Sequence, residues 1–166
     1  MRIDRYTQKM QEALQAAQDL ASQLNNSEIT NEHFLSALLD QSDGIARPLL
    51  EKIGANVDQL QERLRTELER RPKIHGGAAD LRISNELRTV LDSAEKEMSK
   101  LKDEFTSAEH YLLALSGVPP SGIPAAKLLK DLGVTHLLAL LPENGFRRQF
   151  LLGAARGQAG SRRWRC

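Results

Sequence analysis

Apolar residues recur every third or fourth position along most of the chain, which is the spacing of one helix face. In TQKMQEALQAAQDLASQL those positions are Met10, Ala13, Leu14, Ala17, Leu20, Ala21 and Leu24. Thr7 precedes them as an N-cap, its hydroxyl placed to accept a backbone N–H that the helix leaves unpaired. Asn25 and Asn26 end this helix, and Thr30 caps a shorter one, NEHFLSALLD. Asp43-Gly44 leads into a third helix through ARPLLEKI, closed by Gly54, a residue able to take positive φ. Asn56 caps a fourth, VDQLQERLRTELERR, with Gln59 placed to complete a capping box and Pro72 as the stop. After the connector 72–83 the pattern starts again. Ser84 caps NELRTVLDSAEKEMSKL, Ser107 caps AEHYLLAL, and a Pro/Gly loop leads to AAKLLKDL and Gly133. Leu81 and Ile83 are too few to predict a strand, so no strand is expected.

The second half is a copy of the first. A shift of 77 residues lays Thr7 on Ser84, Leu14 on Leu91, Ala17 on Ala94 and Leu24 on Leu101. The same shift lays Thr30 on Ser107 and Glu32-His33 on Glu109-His110. After a two-residue insertion, LLEKIG (49–54) matches LLKDLG (128–133). Two supersecondary units that repeat in this way bury their apolar faces against each other. The expected fold class is therefore all-α: two four-helix repeats related by an approximate two-fold, sharing one core, as a monomer. The repeats are 1–71 and 84–141, and the last helix of the second is cut short by Pro142 and Gly145.

Charge separates a body from a tail. Residues 1–143 hold all 22 Asp and Glu and 17 of the 23 Lys and Arg, a balance of −5. Residues 144–166 carry six Arg and no acid. The atypical basic segment 142–166, rich in Gly, Arg and Ala, is expected to be weakly structured and dispensable for the fold. The opening MRIDRYTQKMQEAL lacks an apolar h-region, and no stretch is long enough to span a membrane, so neither export nor a membrane is expected. One cysteine, Cys166, rules out a disulfide framework and suits a reducing, cytoplasmic setting.

Chemistry is sparse. No G-x-x-x-x-G-K-[S/T] phosphate loop occurs, so no nucleotide cofactor is expected in this chain. His33, His75, His110 and His136 form no i,i+4 pair and H-E-x-x-H is absent, so no metal site is expected. Ser107, Glu109 and His110 superficially resemble a hydrolytic cluster, but side chains one or two apart on a helix do not face each other. No enzymatic constellation is expected. Seven aromatic residues are too few for a stacking platform, and no specific nucleic-acid partner is expected.

Two copies of a helical repeat, each with an [S/T]-x-E-H turn, resemble the Clp N-terminal repeat domain. RIDRYTQKMQEALQAAQDLA, the connector RRPKIHGG and LRTVLDSAEKEMSKLKDEFTSAEHYLLAL resemble the AAA+ disaggregase branch of that family. The resemblance covers residues 1 to about 140 and leaves the tail without a counterpart. It implies a non-catalytic domain that weakly engages unfolded or aggregated client polypeptides and passes them to a hexameric ATPase ring, which this chain lacks. Affinities of micromolar to millimolar, about −8 to −4 kcal/mol, would let the client move on. The resemblance further implies that Thr7, Asp103 and Glu109 handle the client, with Leu14, Leu91, His110 and Leu113 as groove walls. Both acids are expected to be exposed at helix ends, with Asp103 ending the fifth helix. The alternative reading is an adaptor-docking domain of a protease-partner ATPase or a stand-alone protein.

Overall fold

A computed structural model describes residues 3–74, 81–118 and 122–134. After a single 3-10 turn, Ile3–Arg5, the first repeat contains α1 (Gln8–Gln23), α2 (Asn31–Asp40), α3 (Ala46–Lys52) and α4 (Val57–Glu69). The second contains α5 (Asn85–Lys100), α6 (Ala108–Ser116) and α7 (Pro124–Asp131). The counterpart of α4, the basic tail and the Gly76-Gly77 pair lie outside the described residues.

Local sequence sets the helix starts. Thr7 accepts the Met10 N–H (3.3 Å), its repeat partner Ser84 accepts Leu87 N–H (3.1 Å), and Asn56 accepts Gln59 N–H (3.0 Å). Each bond satisfies a donor that the first helical turn cannot pair internally. The two long helices stop by the same device. Asn25 (φ 55°) and Lys102 (φ 59°), 77 positions apart, both take the left-handed conformation. Gly54 and Gly133 do so after the third helix of each repeat (φ 92° and 73°), at no steric cost.

One contiguous core spans both repeats, from Tyr6 to Val134. α1 packs on α2 and α5 on α6, while α4 lies against α2 and α7. Near the pseudo-two-fold, Phe34 of α2 meets its repeat partner Tyr111 of α6 edge to face, with ring centroids 4.7 Å apart. The Tyr111 hydroxyl donates to Asn31 Oδ1 at 3.0 Å, so its polar end is paired within the core.

The expectation of no strand needs correction. β1 (Glu28–Ile29) pairs in parallel with β2 (Arg82–Ile83), Ile29 opposite Ile83. The symmetry-related pairing is Tyr6 with Thr106. Each repeat thus hydrogen-bonds its inter-helix segment to the residues just before the other repeat's long helix. Ser84 N–H donates to Ile29 O (2.9 Å) and Thr7 N–H to Thr106 O (3.0 Å). Two-residue pairings carry no alternating pattern, which is why periodicity gave no sign of them.

Candidate functional site

The Tyr6–Thr106 pairing brings the start of the first repeat against the loop that precedes α6. Thr7, half-buried, follows Tyr6; Asp103 and Glu109 flank Thr106. Thr7 of the first repeat is thereby held, through its N–H bond to Thr106 O (3.0 Å), against the segment of the second repeat that runs from Asp103 to Glu109.

The acids differ from what their positions suggest. Glu109 is buried (7% exposed), not an exposed helix-end acid. Burial raises its pKa, partly offset by a hydrogen bond from Ser107 Oγ at 3.2 Å. Asp103 is half-buried, its side chain 35% exposed, and lies past the end of α5, whose C-cap is Leu101. Its backbone N–H donates to Met98 O (3.1 Å), in the turn that Lys102 makes possible.

His110 organises the cluster. Its Nδ1 accepts the Ser107 N–H at 2.9 Å, closing a capping box in which histidine replaces the usual acid at the third helical position. An amide N–H can only donate, so Nδ1 is unprotonated and Nε2 carries the proton, which it donates to Asp103 Oδ2 at 2.9 Å. His33 does the same in the first repeat, accepting Thr30 N–H (3.2 Å) and facing Asn26 Oδ1 (2.9 Å). Burial lowers both imidazole pKa values to about 4. Arg71 lowers that of His33 further and Glu32 opposes, whereas at His110 the Glu97 carboxylate opposes.

Ser107, Glu109 and His110 do cluster, contrary to the spacing argument. That argument holds inside a helix; an N-cap residue stands outside it and folds back over the first turn. His110 does not serve as a base toward Ser107 Oγ, because Nδ1, the nitrogen nearest that hydroxyl (3.0 Å), already takes a backbone proton. Ligand atoms of Asp103, Glu109 and His110 lie within 4.8 Å of one another, close enough to hold a cation. Binding through Nε2 would require expelling the proton that pairs it with Asp103, so the hydrogen bonds favour a proton there.

The equivalent acid in the first repeat is used differently. Glu32, 1% exposed, pairs with Arg71 (2.6 Å), accepts the Ala125 N–H at the start of α7 (3.0 Å) and accepts from Thr30 Oγ1 (2.7 Å). It fastens the two repeats together.

Of the apolar wall residues, Leu91 (0% exposed) and His110 (1%) are core, so no ligand reaches them in this conformation. Leu14 and Leu113 are partly exposed at the core's edge. Two residues that periodicity passed over lie close in the chain to the Tyr6–Thr106 pairing. Ile3 (48%) and Phe105 (51%) are exposed large apolar side chains. Ile3 opens the turn leading to Tyr6, and Phe105 immediately precedes Thr106. The available signal was one phenylalanine alone within the polar run KDEFTS.

The family model for the Clp repeat (R) N-terminal domain matches residues 5–132. The chaperone protein ClpB of Vibrio cholerae is 38% identical over 136 residues, covering 82% of this chain and 16% of that protein. ClpB of Rhodopirellula baltica is 39% identical over 134 residues, covering 81% and 15%. The chain thus spans about one sixth of the length of the curated relatives it matches. The N-terminal domain of the ClpV1 ATPase from E. coli superposes with a TM-score of 0.71 at 24% identity, covering 83% of each chain. The Hsp104 N-terminal domain from Candida albicans gives 0.70 at 21%, covering 84% of this chain and 89% of that one. No described helix is long and apolar enough to cross a membrane.

Proposed function

The chain belongs to the Clp repeat N-terminal domain family, a non-catalytic region of AAA+ ATPases, and on that premise we propose that it captures exposed apolar segments of unfolded or aggregated polypeptide. Capture is weak and reversible, and serves delivery to an ATPase ring carried by a longer protein. The contact face is the Tyr6–Thr106 pairing with Thr7, Asp103, Ile3 and Phe105 around it. Glu109 lies behind that face and supports it.

The observation that carries this reading is the exposure of Phe105 and Ile3, each within three residues of the Tyr6–Thr106 pairing, together with the partly exposed carboxylate of Asp103. Burying an aromatic ring supplies apolar contact area, and a few polar groups orient an extended backbone. A surface of this kind holds sticky segments without sequence preference and releases them readily.

The test is an anisotropy titration of the full chain against a labelled, reduced and alkylated protein that cannot fold, beside its native form. Saturation in the micromolar to millimolar range is expected for the unfolded form alone. Phe105→Ser and Asp103→Ala should each weaken it. Equal binding of the native form would favour the adaptor-docking alternative. Unaltered binding by both variants would overturn the site.

A further inference from the structure

We propose that the depression between α1, α2 and α4 is the seat of this chain's own basic segment, residues 144–166. The depression consists of two adjoining hollows of about 500 and 330 Å³ that share Leu20 and Asp40. Leu20 and Leu24 form part of its floor and are only partly buried. With Leu68 they stand outside the contiguous core. Leu20 and Leu24 are thus partly exposed apolar groups on this floor, whereas Leu68 is buried.

The rim is acidic. Among the described residues, Asp19, Asp40, Asp58, Glu62 and Glu69 line it against one cation, Arg65. Arg65 is already shared between Glu62 (3.6 Å) and Glu69 (3.7 Å), and Asp58 is held by Arg47 at 3.1 Å. Among the described residues, Asp40 accepts from the Gln61 amide (2.7 Å) and Asp19 from the Gln15 amide (3.1 Å), with no cation paired to either. An occupant that brings several positive charges and several apolar side chains satisfies both features at once. Residues 144–166 carry six Arg and no acid, with Phe146, Phe150, Leu151, Leu152 and Trp164 interspersed.

The attachment point makes the seat reachable. α7 ends beside α4, with Asp131 4.0 Å from Arg63. Arg63 faces α7, whereas its neighbour Glu62 lines the depression on the other side of the same helix. An α-helix is about 10 Å across, and nine residues, the number from 135 to 143, can reach at most roughly 30 Å. Tethering over that span holds the segment at an effective concentration of the order of millimolar, so modest complementarity suffices. The seat lies at the far end of α1 from Thr7, about 20 Å along a helix rising 1.5 Å per residue, and is separate from the proposed client face.

The only cysteine and the only tryptophan of the chain both fall in this segment, at 166 and 164. A nitroxide attached to Cys166 of the full, isotopically labelled chain should bleach amide signals of α1 near Leu20 and Leu24, of α2 near Asp40 and of α4 near Leu68. Reducing the label should restore them, as should raising the salt to about 1 M, where the screening length falls to ~3 Å. The variant Asp40→Lys/Glu69→Lys, at two exposed positions, should lose the bleaching while keeping its amide dispersion. Uniform bleaching, none, or bleaching centred on Thr7 and Phe105 would overturn the proposal. So would bleaching of a labelled chain by nitroxide carried on a separate, unlabelled molecule.

Discussion

His110 Nε2 donates to Asp103 Oδ2 at 2.9 Å, and 77 positions earlier His33 Nε2 faces Asn26 Oδ1 at the same distance. One hydrogen-bonding design has been kept in both repeats, with a carboxylate in one copy and an amide in the other. The pairing fixes the tautomer of each imidazole and anchors the loop before each short helix.

Stability should fall as the solution is acidified through the histidine range. Burial holds both folded-state pKa values near 4, below the ordinary value of about 6.5. Above pH 6.5 both rings are neutral in folded and unfolded chains, and the contribution is fully present. Between 6.5 and 4 the unfolded chain takes up protons that the folded chain refuses, so the unfolded state gains, by on the order of 2–3 kcal/mol per imidazole at pH 4. Imidazole carbon–proton spectra recorded from pH 7.5 to 4 should show neither ring titrating near 6.5. A midpoint there for either ring would contradict its burial.

Asp103→Asn should make His110 resemble His33. The carboxylate favours the charged ring and the amide does not, so the His110 midpoint should move down while His33 stays put. The substitution should cost no more than about 1 kcal/mol, because Asp103 is partly solvated and Asn still accepts the bond. An unmoved midpoint would mean that the two side chains do not pair in solution.

Glu32→Gln and Glu109→Gln should separate the two equivalent acids. Glu32 pairs with Arg71 and holds the Ala125 N–H, so its loss should cost about 3 kcal/mol. Glu109 has its pKa raised by burial, so holding it ionised at neutral pH works against the fold. Its contribution is full below the unfolded pKa and declines as pH rises through the folded one. Urea denaturation at pH 7 should find Glu109→Gln the milder change by at least ~1 kcal/mol. Equal losses would contradict the asymmetry.

Phe34→Ala should destabilise both repeats together. Removing a buried aromatic ring costs about 3–5 kcal/mol. The ring's partner, Tyr111, belongs to the other repeat. Calorimetry should show one lowered transition. Two resolved transitions would mean that the repeats fold independently.

The helices, their caps and the repeat were legible in the sequence because they depend on local spacing and on residue types with local preferences. Thr7, Asn56 and Ser84 cap where the pattern placed them. The Thr106–Tyr6 and Ile29–Ile83 pairings were not legible, since two-residue contacts between distant segments leave no periodic trace. The burial of Glu109 escaped for a related reason. Thr106, just before its helix, pairs with Tyr6 of the other repeat, and a first-turn acid in a sequence looks the same whether solvent or protein stands over it. Phe105 was missed because a lone apolar residue in a loop belongs to no stripe.

Amide-shift mapping tests the central claim most directly. The isotopically labelled full chain would be titrated with the unfolded, alkylated protein. The account predicts fast-exchange shifts that cluster at Ile3, Thr7, Asp103, Phe105 and Thr106, and that diminish in Phe105→Ser. Shifts centred on another face, or the same shifts undiminished in that variant, would contradict it.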